Sequence, residues 1–493
     1  MTNFEIYTYL KSKNGGGEPV PVPVTNPALR LMDWEGTVLK EYTAEQVASL
    51  TALPTPSSLN TNVDRDLLSF QGYNWALADI KAWVTAHEGE CLQVGAIYTT
   101  TDGQDHTYRN NPRIDTNESV SMLKKGTTTI GVNAFNNYYS LTSVNIPDGV
   151  TSIGNSAFNN CYSLASVNIP DSVTSIGNGA FYNCLSLTSV NIPDGVTSIG
   201  NNAFNNCRSL TSVNIPDSVT TIGANAFVGC VSLTSVNIPD GVTSIGNGAF
   251  NNCYSLTSVN IPDGVTSIGT SAFGNCYSLT SIAIPEGVTT IGNDAFGNCC
   301  TLKNINLPDS VTSIGNGAFS NCYSLASITI PEGMTNIGSS AFSGCRSLTS
   351  INLSEGVTNI GSSAFNSCFS LTSIAIPEGV TTIGESAFYN CRSLTSVNIP
   401  DGVTSIGNNA FNNSKVLTDV VIQGKPSLSN VNAFDGTYDG LRIYVPREYL
   451  SWYSTATNWD VFYDDEVIVA IEDYIDYLTS IGIDVSEYEE EEI

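Results

Sequence analysis

Thirteen cysteines, two histidines, one recurring acid and one column of tyrosine and arginine are the residues here that could do chemistry. Eleven of the cysteines, from Cys161 to Cys391, lie 23 residues apart, with Cys91 and Cys300 outside the series. A zinc site wants cysteine pairs separated by two to four residues, which this spacing does not offer. A disulfide framework would not repeat one cysteine in identical phase over so long a chain. The series is therefore read as small, buried packing residues, the usual behaviour of a free cysteine. His87 and His106 both precede the repeats, so no Ser–His–Asp or Cys–His set can be assembled there. Gly177 and Gly179 neither follow a long strand nor open a long helix, so they are not read as a phosphate loop. No enzyme activity and no cofactor is expected.

The acids form their own series: Asp148, Asp171, Asp194, Asp217, Asp240, Asp263, Glu286, Asp309, Glu332, Glu355, Glu378 and Asp401. The plain reading is a solvated turn residue. The sharper one is a line of mutually repelling carboxylates that calcium screens. Asparagines at 145, 168, 191, 214, 237, 260, 306, 352 and 398 are expected mid-strand on a concave face. They are read as a ladder of hydrogen-bonded amides or, alternatively, as a polar surface for sugars.

The position after the cysteine phase is the one that varies most. It holds Tyr139, Tyr162, Leu185, Arg208, Val231, Tyr254, Tyr277, Cys300, Tyr323, Arg346, Phe369, Arg392 and Lys415. Between Gly131 and Gly424 the only other basic residue is Lys303. Tyrosine and arginine dominate binding surfaces because they combine contact area with a polar handle. Tyr162, Arg208, Tyr254, Tyr277, Tyr323, Arg346, Phe369 and Arg392 are accordingly the candidate ligand-binding residues. The competing reading is that they stack on one another and cover the core edge.

The elements that position these residues follow from one repeat. Alanine–phenylalanine pairs place Phe135, Phe158 and their successors up to Phe434 at steps of 23. An unbroken period of this kind means one structural unit stacked on itself. In the unit from Leu141 to Cys161, LTSVNIP alternates and stops at a proline, which reads as a short strand. Pro147-Asp148-Gly149 is turn chemistry, and VTSI is a second extended piece. Asn155 or Ser156 is expected to cap one helical turn carrying Ala157 and Phe158. No single coil buries its apolar residues alone; stacked copies do. At the inter-strand spacing of about 4.8 Å, fourteen coils would extend on the order of 65 to 70 Å.

The pattern L-x-x-V-x-I-P followed by V-T-x-I-G-x-x-A-F-x-x-C resembles the BspA-type, or Treponema pallidum-type, leucine-rich repeat. The resemblance covers about residues 127 to 446, roughly two thirds of the chain. It implies a β-rich solenoid of 23-residue coils, with short strands and one helical turn in each. It also implies surface adhesion or host interaction, without enzymatic activity in the array. LRIYVPREYLSWYSTATNWDVF is similar to the closing piece of such arrays, and Pro446 is in phase with Pro400.

Four segments are expected: an N-terminal segment and Gly/Pro linker over 1–26, a small α+β attachment domain over 27–115, the solenoid over 116–446, and a cap with acidic tail over 447–493. GGGEPVPVPV reads as flexible, then semi-rigid, linker. FQGYNWALADIKAWVTAHEGE has helical spacing at Ala76, Leu77, Ile80 and Trp83. CLQVGAIYTTTDGQDHTY reads as a hairpin turning at Asp102-Gly103. This region resembles short segments near the start of phage and prophage tail-associated proteins of gut bacteria. Near the C-terminus, a helix from Val467 to Leu478 is expected to cap the last coil.

A formal net charge of −28 argues against nucleic acid and anionic membrane surfaces, which want clustered Lys and Arg. No run of about 18 apolar residues is present, so no membrane insertion is expected. The start lacks a basic region followed by an apolar one, so it is not read as a secretory signal. The combined expectation is an extracellular, cell-surface or virion recognition protein whose array binds a host or bacterial cell-surface protein or glycan. Homo-oligomerisation through the N-terminal domain is compatible with the sequence. The alternative is a structural spacer or scaffold rod. If calcium screens the acidic row, millimolar calcium raises the melting temperature; an unchanged melting curve dismisses the cation.

Overall fold

The computed structural model of the chain describes residues 127–464 and 467–473, residue 475, and in the N-terminal part 29–32, 38–52, 67–73, 78, 81–82, 92–100, 105–107 and 120–122. The chain divides into two compact units, residues 1–111 and 112–493.

In the second unit every repeat becomes one coil with two strands. Ser166–Asn168 and Ser175–Ile176 are typical, and each pairs in parallel with its equivalent one coil away. Register is strictly in phase: Ser166 faces Ser143, and Val167 faces Val144. The two-residue strands form one continuous 14-stranded sheet from Thr129–Ile130 to Ser427–Leu428. The longer strands form a second row in shorter sheets, beginning at Val120–Met122 and ending at Ile468–Ala470. Most strands of this second row are short because a proline follows them and cannot donate to the ladder. The Pro170 carbonyl then accepts from Val173 N at 3.0 Å, closing the turn.

The expected apolar set is the core. Leu164, Val167, Ile169, Val173, Ile176, Ala180, Phe181 and Cys184 are all buried. The phenylalanines from Phe135 to Phe434 stack ring on ring, centroids 5.0–5.6 Å apart and planes within 8° of parallel. Offset stacking of this kind adds about 0.5–1.5 kcal/mol per pair beyond burial.

The expected helical turn is not there. Ser156 and Asn160 have φ of 53° and 60°, and a right-handed helix needs negative φ throughout. Every second amide of the segment points along the array. Ser156 N, Phe158 N and Asn160 N donate to the carbonyls of Asn178, Ala180 and Tyr182 at 2.7–2.8 Å. The segment is thus a third backbone ladder. Asn tolerates the left-handed region best among residues with a side chain, which explains the asparagines that recur there. Asn155 is also not a helix cap: its Oδ1 accepts from Asn178 N, one coil on, at 2.8 Å.

The end of the array is closed by Trp459 and Tyr453, both fully buried. Trp459 Nε1 donates to the Pro426 carbonyl and the Tyr453 hydroxyl to the Gly424 carbonyl, each at 2.8 Å. Trp459 and Phe462 pack on Phe434, the last ring of the stack. The helix expected from Val467 to Leu478 begins instead as a strand, Ile468–Ala470, paired with Arg442–Val445. An open sheet edge is satisfied by another strand, which a helix cannot supply. Residues 471–473 and 475 are helical; the rest of that expectation lies outside the described residues.

In the first unit, Val38–Tyr42, Leu29–Met32, Leu92–Thr100 and Leu67–Tyr73 form one sheet in that order, with Asp105–Thr107 also on Leu92–Thr100. The expected hairpin is present as Tyr98 facing His106; its turn lies outside the described residues. The helix expected from Phe70 to Glu90 is corrected at its start, because Phe70–Tyr73 belongs to a strand. Ala78, Lys81 and Ala82 are helical, while Ala76, Leu77, Ile80 and Trp83 lie outside the described residues, as does the 1–26 segment. The sequence reading missed a short helix, Ala44–Ser49, whose start is fixed by a reciprocal cap between Thr43 and Gln46.

Each array cysteine is buried, and its thiol donates to the carbonyl of the phenylalanine 26 residues earlier, as Cys253 Sγ does to Phe227 O at 3.3 Å. Ser414 occupies the same phase in the next coil after Cys391 and makes the same bond to Phe388 O at 3.1 Å. The position therefore selects a small buried donor rather than thiol chemistry. Burial pushes these thiols up, Cys345 and Cys391 to about 12, and others further with help from the neighbouring thiols. A raised folded value means stability that is intact below the ordinary thiol range and lost as pH rises above it. Between an ordinary 9.0 and about 12, each thiol should withdraw roughly 1.4 kcal/mol per pH unit. The urea midpoint should fall from pH 7.5 to pH 10, and replacing Cys230, Cys253 and Cys276 with serine should flatten that fall. An equal fall in both proteins would contradict the assignment.

Candidate functional site

The column after the cysteines is built from inside outward. The buried cysteine pins the turn, and the next residue emerges beside it. The following serine then donates its N–H to the column residue one coil earlier: Ser278 to Tyr254 O and Ser324 to Cys300 O, both at 3.2 Å. This bond sets the column's side chains at the coil step.

The candidates fall into three groups. Tyr254 and Tyr277 stack at 4.8 Å, and Tyr162 stacks on Tyr139 at 4.9 Å, in each case 18° from parallel. Arg346 lies between two rings, its Cζ 4.4 Å from the centre of Tyr323 and 5.4 Å from that of Phe369. Arg392 covers Phe369 at 4.7 Å and donates from Nε to Asn390 Oδ1 at 2.8 Å. Arg208 is exposed between half-buried Leu185 and Val231. Among the described residues, no carboxylate lies within ion-pairing distance of Arg208, Arg346 or Arg392.

The column is thus both packed and accessible. Tyr162, Tyr254 and Tyr277 keep 38%, 41% and 42% of their surface exposed despite stacking. Sequence reasoning missed one member. Tyr438, 52% exposed, sits one period beyond Lys415, and carrying the repeat one step further would have found it.

The other rows separate as well. All twelve acids from Asp148 to Asp401 are exposed at their turns. Among the described residues, no group of three or more His, Cys, Asp or Glu could hold a metal ion. Asn145 and its equivalents are exposed and end their strands, except Asn398, which lies within Ser396–Ile399 as expected. One amide bond links neighbours in that row, Asn214 to Asn191 at 3.4 Å. The amide ladder runs instead along the left-handed position: Asn160 to Asn137, Asn183 to Asn160, and Asn275 through Asn321, at 2.8–2.9 Å. Where Ala375 stands between Asn352 and Asn398, the strand face has a depression of about 380 Å³ lined by serine, asparagine and aliphatic side chains. No described helix is long and apolar enough to cross a membrane.

Comparison with known proteins agrees with this architecture. Residues 128–439 match, in overlapping stretches, the BspA type leucine rich repeat region. A leucine-rich repeat protein from Bacteroides ovatus ATCC 8483 is 31% identical, with a TM-score of 0.63, covering 72% of this chain and 94% of that one. A leucine rich cell surface protein from Faecalibacterium prausnitzii A2-165 is also 31% identical, covering 74% and 96%, with a TM-score of 0.47. The T. pallidum leucine-rich repeat protein is 30% identical over 42% of this chain and 77% of its own, with a TM-score of 0.29. A search among curated proteins gives no match. None of these matches is a tail-associated protein, so that resemblance has no counterpart among them. Repeats of this type are generally non-enzymatic and mediate protein–protein contacts. By the span of its repeat and its likeness to the Bacteroides protein, the chain belongs to the BspA-type leucine-rich repeat family.

Proposed function

We propose that this chain is a non-enzymatic recognition or adhesion protein, outside the cell or on a virion, whose array binds a host or cell-surface protein or glycan. The observation that carries this reading is the Tyr/Arg column. It is the row that gathers every arginine between Gly131 and Gly424 together with most of its tyrosines, and Tyr162, Tyr254 and Tyr277 stay exposed there. A scaffold that needed only to cover its core would have no use for arginines without acidic partners. Residues 27–115 would then attach the array to a larger body, a cell surface or a phage tail.

The mutual stacking of Arg346, Tyr323 and Phe369 supports a second reading, a stiff spacer whose column merely seals the coil mouths. One variant separates the two. Arg208, Tyr254, Tyr277, Arg346 and Arg392 are all replaced by serine, and binding to a matrix-protein and glycan array is measured beside thermal unfolding. Recognition predicts a folded variant with at least tenfold weaker binding. Saturable binding that survives the substitutions, with only the melting temperature lowered, assigns the column to packing. No saturable binding by the unmodified protein favours the spacer.

A further inference from the structure

Within the column, one position is built like its neighbours but is missing its filling. Cys300 lies between Tyr277 and Tyr323, one coil from each. Tyr277 already has Tyr254 on its other face, and Tyr323 already has Arg346 on its other face. Each therefore turns one face toward the space above Cys300, whose short side chain is half-buried and points its thiol at Asn298 O at 3.3 Å. Two coils separate the rings, roughly 10 Å at the strand spacing. One planar group fills such an interval when it stacks on both sides.

The molecule shows what that group is. Two periods further along, Tyr323 and Phe369 stand the same two coils apart. The Arg346 guanidinium fills the interval, 4.4 Å from one ring and 5.4 Å from the other. Guanidinium is planar and weakly hydrated, so it can present a flat face to a ring on each side, whereas an ammonium, like that of Lys425 over Tyr449 at 4.0 Å, has no flat face to stack. The chain's net charge of −28 favours a basic guest. Arg346 sits two coils from Cys300, roughly 10 Å at the strand spacing, and its charge still reaches Cys300, so salt weakens its repulsion of a guest without removing it.

From this internal template we propose that Tyr277, Cys300 and Tyr323 form an aromatic slot that takes an arginine side chain from a basic partner peptide. The inference rests on the column being a recognition surface and names what one part of it recognises.

Cys300 makes the slot testable, because it is the one described cysteine that is not fully buried. Alkylation of Cys300 by N-ethylmaleimide, mapped by mass spectrometry, is followed with triarginine, trilysine or a tryptophan-containing tripeptide present. Triarginine should slow alkylation at least fivefold, and the other two should do so far less. In a second arm, fluorescent triarginine binding is measured for Cys300→Arg and Cys300→Ser. Cys300→Arg supplies the guest from within the chain and should abolish peptide binding while raising the melting temperature; Cys300→Ser should leave binding intact. Equal protection by lysine would reduce the effect to charge attraction, and equal protection by tryptophan would make the guest aromatic. Either result, or undiminished binding to Cys300→Arg, overturns the proposal. If the slot fails while the five-serine variant still loses its array ligand, the recognition surface stands without it.

Discussion

Everything in the array depends on coils being identical in length. The phenylalanine rings meet at 5.0–5.6 Å only because each arrives in the same phase. The same condition lets each buried thiol find the carbonyl of the coil before. It also brings backbone so close that one position cannot carry a side chain. A Cβ on Gly177 would stand 2.6 Å from Asn155 N, and one on Gly200 2.6 Å from the Gly177 carbonyl carbon. A one-residue insertion would move rings, thiols and glycines together, so its cost is collective rather than local.

That constraint explains what could be read in advance. A period of 23 residues announces a solenoid, and the eight apolar positions of a coil announce its core, because both follow from residue type and spacing alone. The handedness of the backbone did not. Ser156 looks like a helix-capping residue in a sequence, and its φ of 53°, like the 60° of Asn160, comes with hydrogen bonds to the next coil, a partner the local sequence cannot name. Asn145 was misjudged for a related reason: the amide ladder forms at Asn160, where positive φ brings side chains into line. Ile468–Ala470 became a strand because the edge of Arg442–Val445 was waiting for one; the β-branched run Val467-Ile468-Val469 carried that signal, which the helical reading passed over. Thr43 and Gln46 did carry a readable signal, the reciprocal cap, and it was overlooked.

The candidate surface was legible as a pattern and not as a geometry. Variation at one phase pointed to the column, yet the sequence could not say that Arg346 would lie between rings while Arg208 would not. Both follow from neighbours one coil away on either side: Tyr323 and Phe369 are flat, and Leu185 and Val231 are not. The same bookkeeping across coils makes Cys300 a gap. Packing and recognition are thus not opposed here, since a stacked side chain leaves its edge to solvent and an unstacked face leaves room for a visitor.

The sealed row of thiols sets a race against time for a chain of this kind. While unfolded, eleven evenly spaced cysteines are open to oxidation and to random cross-linking. Once coils close over them, each thiol is buried, protonated, bonded to a phenylalanine carbonyl and shielded from oxidants in solution. Disulfide chemistry takes seconds to hours, whereas local strand pairing takes microseconds. Contacts in the array reach only to the next coil, so closure can spread quickly from any nucleus. A protein with so many cysteines and no need of disulfides can therefore survive an oxidising environment by folding first.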